Sequence, residues 1–223
     1  MRVAGKGLIN REKTLNFKFD GRSYKGFEGD TVSSALLASG KKIFGRSFKY
    51  HRPRGVLTAG SEEPNALITV GQGAFQDPNI RATTQEIFEG LITKSQNNWP
   101  SLQYDILSVN DLFSNFLGAG FYYKTFMWPK SFWEKIYEPF IRRAAGLGAL
   151  SGLHNSDTYE KAYAFCDLLI IGGGPSGLMA AKIAAEAGLD VILAEQEPIF
   201  GGRLNSETEK VDGIPGSDWA AKI

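Results

Sequence analysis

Three glycines, one acid and one arginine carry the chemistry that this sequence offers most clearly. Residues 166–205 read CDLLIIGGGPSGLMAAKIAAEAGLDVILAEQEPIFGGRLN, with Gly172, Gly174 and Gly177 in G-x-G-x-x-G spacing. In such a turn the first glycine permits the tight strand-to-helix reversal. The second lets a pyrophosphate approach bare backbone, and the third lets helix and strand pack closely. Gly173 lies within the same turn. Pro175 suits a first helical turn, where a missing N–H costs little. Ser176 stands where helix N-terminal N–H groups face phosphate, and its hydroxyl adds a candidate contact. Glu195 follows Gly177 by 18 positions, where a carboxylate accepts hydrogen bonds from ribose hydroxyls. It would repel a 2′-phosphate, so NAD or FAD is expected rather than NADP. Gln196 adjoins it, and Gly202 and Arg203 follow. Arg203 either reaches the adenosine or phosphate side of a dinucleotide or pairs with Glu207 or Glu209 at the surface. No catalytic residue stands out. His51 and His154 are too far apart and too poorly accompanied for a metal site.

The elements that must hold these residues read as a βαβ unit. Leu168–Ile171 is an apolar run of the kind that forms a buried parallel strand. Ser176–Ala187 is a helix rich in Ala, Met and Leu, stopped by Gly188. Val191–Ala194 is a second apolar strand, ending at Glu195. The unit lacks the third parallel strand a dinucleotide fold needs, so the chain is expected to be an N-terminal fragment of a longer protein.

Upstream, TLNFKF alternates, with Leu15, Phe17 and Phe19 on one face, and Asp20-Gly21 is a favoured hairpin turn before RSYKGF. Asp30 is a candidate N-cap for the helix TVSSALLASG, with Gly40 as its stop. Short strands at Ala66–Val70 and Thr84–Thr93 complete the pattern of a small mixed α+β domain. In RSFKYHRPR, residues 46–54, five basic or imidazole side chains interleave with Phe48 and Tyr50. The stretch either contacts an anion, a cofactor or single-stranded nucleic acid, or docks through its aromatics as a solvated basic loop. Residues 112–140 are dense in aromatics, and Ser131 with Glu134 has the form of a capping box for a helix through about Ala145. That density either fills a core between domains or marks an interface with segments or subunits outside this chain. AAGLGALSGLHNSDTY reads as a linker. The expected domains are residues 1–100, a helical connector over 101–160, and an incomplete dinucleotide domain over 161–223.

Composition narrows the classes. The 223 residues carry a net charge of +1, 43% hydrophobic residues and a single cysteine, Cys166. Near-neutrality argues against nucleic acid or an anionic membrane as partner. One cysteine excludes an internal disulfide framework and suits a reducing compartment. MRVAGKGLIN lacks the apolar run of a signal peptide. Asp167, Lys182 and Glu186 interrupt the most apolar window, so it is not a membrane span. A cytoplasmic location is expected, and Cys166 is expected to be a structural thiol.

GGGPSGLMAAKIAAEAG, VILAEQ and Gly201-Gly202-Arg203 resemble oxidoreductases of the glutathione-reductase type, with two dinucleotide-binding domains. SFKYHRPRGVLTAGSEEPNALITV, SQNNWPSLQYDILSVNDLFS and AGFYYKTFMWPKSFWEKIYEPFIRRAAG resemble the N-terminal part of the α subunits of heterotetrameric sarcosine oxidases. The resemblance implies an N-terminal β-grasp, [2Fe–2S] ferredoxin-like domain followed by the start of a Rossmann-like FAD/NAD-binding domain, α+β then α/β. It implies NAD in this fold, with FAD as the alternative there, and FAD and FMN elsewhere in a complex with β, γ and δ subunits. That complex would demethylate sarcosine to glycine with O2 and tetrahydrofolate, giving H2O2 and 5,10-methylenetetrahydrofolate. Cluster-bearing relatives carry C-x4-C-x2-C, whereas the corresponding loop here, GVLTAGSEEPNAL, has no cysteine. No iron–sulfur cluster is therefore expected. The alternatives are a non-catalytic assembly scaffold with a vestigial dinucleotide fold, or a subunit of a related FAD- or NAD-dependent amine or opine dehydrogenase.

Overall fold

The computed structural model describes residues 2–3 and 9–223. The chain divides into two compact units, Met1–Ser156 and Asp157–Ile223.

The first unit grows from the hairpin of β1 (Asn10–Phe19) and β2 (Arg22–Glu28). Asp20 and Gly21 both take positive φ, 50° and 76°, the backbone that a two-residue turn between right-twisted strands requires. Alternation along β1 sends Phe17 and Phe19 into the core with Leu15 beside them. The helix α1 (Val32–Ala38) lays Val32, Ala35 and Leu36 on the same core. Two short pairs follow, β3 (Gly45–Arg46) with β4 (Pro53–Arg54) and β5 (Leu67–Val70) with β6 (Asp77–Arg81). Last comes β7 (Ile92–Ser95), which inserts parallel to β1 and antiparallel to β5. The five-stranded sheet has the order β2-β1-β7-β5-β6. A mixed sheet crossed by one helix is the expected β-grasp architecture.

Three local expectations shift. The cap of α1 is Thr31, not Asp30. Thr31 Oγ1 accepts from Ser34 N at 3.2 Å while Ser34 Oγ accepts from Thr31 N at 3.0 Å. Asp30 lies just below as a buried hub. The strand anticipated over Thr84–Thr93 is confined to Ile92–Ser95, because residues 84–91 turn to bury Ile87 and Leu91. Downstream, residues 106–113 form 3-10 turns, Phe121–Thr125 a short helix α2, and Trp133–Tyr137 a π-helical turn running into α3 (Glu138–Ala144). The anticipated capping box is absent: Ser131 sits inside a 3-10 turn, and Pro139 instead starts α3 in its first turn.

The second unit pairs β8 (Leu168–Ile171) and β9 (Val191–Ala194) in parallel, joined by α4 (Pro175–Glu186). A small hairpin, β10 (Lys210–Val211) and β11 (Ile214–Pro215), leads to α5 (Gly216–Lys222). Leu178, Leu204, Trp219 and Ala220 form this unit's core. No helix among the described residues is long and apolar enough to cross a membrane.

Asp30 yields a test of the first unit. Both its oxygens accept from Arg2, at 2.7 and 2.5 Å, and it also takes the Phe27 amide and the Ser34 hydroxyl. Burial pushes its carboxyl up, but Arg2, the amide and the hydroxyl together bring it below the usual value. A depressed carboxyl stabilises the fold above its unfolded pKa and loses that effect as pH falls through the folded value. Asp30→Asn is expected to cost about 3 kcal/mol at neutral pH, and the difference from the parent should shrink toward zero as acid takes the pH down through the depressed folded-state value. Denaturant titrations at both pH values measure this; an equal loss at both would refute it.

Candidate functional site

The glycine-rich turn is built as its spacing demands. β8 runs out at Ile171, and Gly172 N donates to Ala194 O at 2.8 Å, extending the ladder by one step. Gly172 then takes φ +102°, a conformation open to glycine and costly for other residues. The chain enters α4 with Gly174 as N-cap and Pro175 in the first turn. A Cβ on Gly177 would lie 1.9 Å from Gly172 O, so helix and turn touch backbone to backbone. A Cβ on Gly174, by contrast, would meet no atom within 4 Å. An added Cβ on Gly172 would also meet nothing, but its positive φ already calls for glycine; Gly174, the glycine expected to face a ligand, has open space without that backbone demand. No side chain caps α4, so its first-turn amides keep their outward-facing donors.

Glu195 closes the turn from the neighbouring strand. Its Oε2 accepts from Gly173 N, and its Oε1 accepts from Gln196 N at 2.7 Å and Glu197 N at 2.9 Å. The amides of Glu197, Gly173 and Gln196 hold the carboxyl below the usual glutamate range, against an opposing effect of burial. It is therefore an anion throughout the neutral range. Oε1 is filled by two amides, whereas Oε2, with one, retains lone-pair capacity for a further donor, as a ribose hydroxyl would supply.

The segment after Glu195 folds back over the turn. Gly201 N donates to Gly173 O at 2.8 Å, and a Cβ on Gly202 would lie 3.3 Å from Gly174 Cα. Phe200 packs on the turn, since a Cβ on Gly173 would be 2.4 Å from its ring. Neither Phe200 nor the Gly201 contact was anticipated as part of the site. The available signal was an aromatic residue directly ahead of the glycine pair. Of the anticipated residues, Gly172, Gly173, Gly174, Pro175, Gly177, Glu195 and Gly202 come together. Ser176 is exposed in the first turn of α4. Gln196 contributes its backbone. Arg203 binds Glu207 Oε1 at 2.5 Å, the surface pairing held as its alternative.

The basic stretch at 46–54 is a clamp within the first unit. Arg46 donates to Leu102 O at 3.0 and 2.7 Å and to His51 O at 3.0 Å. His51 Nδ1 meets Asp105 Oδ2 at 2.7 Å, Tyr50 OH donates to Leu117 O, and Arg52 pairs with Asp111. These groups are spent on residues 102–117. Next to it, the turn at 55–65 wraps Glu63. This fully buried carboxylate accepts from Leu57 N, Thr58 N and Asn65 N, each at 2.7 Å.

Comparison with known proteins agrees with this division. Residues 12–98 match the family described as "2Fe-2S iron-sulfur cluster binding domain", and residues 167–215 match "FAD dependent oxidoreductase". The chain is 58% identical over 219 residues to the sarcosine oxidase subunit alpha of Rhizobium meliloti (strain 1021), covering 98% of this chain and 22% of that protein. It is 32% identical over 215 residues to the subunit alpha of Corynebacterium sp. (strain U-96), covering 95% of this chain and 17% of that one. The chain thus spans about a fifth of the length of the curated relatives it matches. Among solved structures, L-proline dehydrogenase from P. horikoshii superposes with a TM-score of 0.51 at 19% identity, over 96% of this chain and 31% of that chain. That likeness concerns fold alone.

These matches correct the cofactor expectation. Over residues 12–98 the first unit matches a cluster-binding family, which overturns the expectation of no iron–sulfur cluster, and the second unit matches an FAD family where NAD is the first expectation. The expectation counted the thiols of the loop and of the whole chain, whereas the family match extends over residues 12–98 and so over the β-grasp sheet. A ferredoxin-type centre takes four ligands, usually thiolates, and the residues present do not assemble such a set. The single cysteine, Cys166, lies in the second unit, and no three His, Cys, Asp or Glu side chains converge among the described residues.

The two glycines of opposite environment give a paired test. Gly177→Ala drives a methyl into a backbone carbonyl and should cost about 3 kcal/mol, the upper end of the usual overpacking range. Gly174→Ala meets nothing and should change stability by less than about 0.5 kcal/mol. Thermal denaturation of the two variants measures the contrast; equal losses would contradict the geometry.

Proposed function

We propose, on the premise that this chain is homologous to the N-terminal part of sarcosine oxidase α subunits, that it binds an adenine dinucleotide within a larger multi-subunit oxidoreductase. The single observation that carries this reading is the open backbone at Gly174 beside the uncapped N-terminus of α4. Anions bind at such termini because the amides point outward and the helix dipole favours negative charge. Here the pyrophosphate would lie on Gly174 and the first turn of α4. The Glu195 carboxylate would hold the ribose, and its depressed pKa keeps it an acceptor. Its charge would exclude a 2′-phosphate, so the ligand is FAD or NAD and not NADP. The FAD family match over residues 167–215 favours FAD. These residues bind and orient the ADP portion common to both; none is placed to move a proton or hydride.

By homology, the whole protein acts on sarcosine. The parent complex would oxidise the N-methyl group with O2, yielding glycine and H2O2, and pass the carbon to tetrahydrofolate as 5,10-methylenetetrahydrofolate. In this reading the chain works beside β, γ and δ subunits in a heterotetramer, with the boundaries of its parts near residues 100 and 160.

The test uses the full-length protein in its complex. Acid release followed by chromatography should recover FAD or NAD in stoichiometric amount. Gly174→Val, which places a branched side chain in the pyrophosphate's path, should cut retention at least about tenfold, equivalent to about 1.4 kcal/mol, without lowering the melting temperature of the nucleotide-free protein. Undiminished retention in a folded variant would place the ligand elsewhere. A wild-type complex free of dinucleotide would favour the scaffold reading.

A further inference from the structure

The stretch from residue 106 to residue 144 has structure without a core. None of its 3-10, π or longer α turns contributes a buried residue. Some rings satisfy one another: Phe126 and Phe132 pack on Tyr137 at 5.2 and 6.2 Å between centroids. Others face outward. Leu112 is 81% exposed, Phe116 78%, Trp128 84% and Phe140 70%. Side chains of this size bury roughly 150–250 Å² each when covered, so the exposed apolar area rivals the few hundred Å² that a monomer ordinarily leaves open. The segment is nonetheless held in place. Arg52 pairs with Asp111, and Tyr50 OH and Lys49 Nζ reach Leu117 O and Gly118 O. An anchored but uncovered aromatic surface is organised for contact.

Two observations specify what covers it. The first is charge. Lys124, Lys130, Lys135 and Arg143 are exposed, and no acidic partner for them is seen among the described residues. Glu134 is the one uncommitted acid nearby, since Glu138 is held by Arg142. The covering surface should be apolar with an acidic rim. The second is length. The chain accounts for 22% of its Rhizobium relative, which leaves more than three quarters of such a polypeptide unaccounted for. A segment of the same chain meets the patch intramolecularly, free of the concentration dependence of a separate subunit, which favours it for a modest aromatic patch.

We propose that the exposed aromatic face of residues 112–140 is the docking surface for a later segment of the same, longer polypeptide, one that presents apolar side chains ringed by Asp and Glu. This rests on the reading that the native protein has the length of its relatives. Hydroxyl-radical footprinting of the monomeric full-length polypeptide, purified without other subunits, tests it. The readout is the oxidation rate of Trp128, native against urea-unfolded. At its present exposure the ratio would be close to one; docking should slow oxidation at least about tenfold. Crosslinks from positions near Phe116 should then map to acidic segments beyond residue 223. Three outcomes overturn the proposal: Trp128 reactive in the polypeptide alone but protected on adding other subunits, protected only on self-association, or reactive throughout. Mass spectrometry of the same sample separates the premise from the proposal, since a native product of 24.4 kDa would refute the length reading itself.

Discussion

Loop amides need acceptors, and in this protein carboxylates supply them. A backbone N–H outside a ladder must find a partner when it is taken from water. A carboxylate with about four lone-pair sites can collect several at once. Asp30 takes the Phe27 amide with Arg2 and Ser34. Glu63 takes three amides of the turn at 55–65. Asp105 takes those of Trp99 and Leu107 while binding His51. Glu195 takes three in the second unit. Each of these acids fixes a non-repetitive segment that propensity alone would leave undefined. Asp30 and Glu195, whose carboxyls are held below the usual range, are also points where acid loosens the fold, because protonation removes acceptor capacity and leaves amides unsatisfied.

The proposed ligand site is the exception to this pattern. Glu195 serves Gly173, Gln196 and Glu197 but leaves the start of α4 alone, and no other side chain caps that helix. The contact of Gly177 with Gly172 O pins the helix against the turn, so the uncapped amides have a fixed direction. Gly201 and Gly202 then narrow the approach without closing it, since the space before Gly174 stays open. Donors fixed in place and left unpaired are complementary to an external anion, and two linked phosphates are the anion that a turn of this shape accommodates.

Legibility in the sequence followed the same division. Where a side chain's job is local, pattern sufficed. The Asp20-Gly21 turn, the alternation of Phe17 and Phe19, and the glycine spacing at 172–177 each require a particular backbone, and no other part of the chain can override it. Where the job is distant, pattern misled. Asp30 had the right type for a cap, yet a partner 28 residues away, Arg2, draws it beneath the helix and leaves capping to Thr31. Residues 46–54 read as a basic surface because their acceptors are carbonyls and carboxylates some 50 to 70 residues onward, which composition cannot register. Phe200 went unread because its role is to lie on a glycine that has no side chain to announce the contact.

The aromatic stretch is the limiting case of that difficulty. Its apolar residues fall at no clean helical or strand period, and the chain there settles into 3-10, π and short α turns in succession. Repetitive structure in a globular protein is stabilised mainly by burying one face. Here the 3-10, π and longer α turns include no buried residue among those described, so nothing selects one helical register over another. Short turns anchored by polar contacts are what remains when rings such as Trp128 and Phe116 have no surface of their own unit to pack on. The irregularity and the exposure thus have one cause: the elements that hold the β-grasp sheet together offer residues 106–144 no surface against which to bury a face.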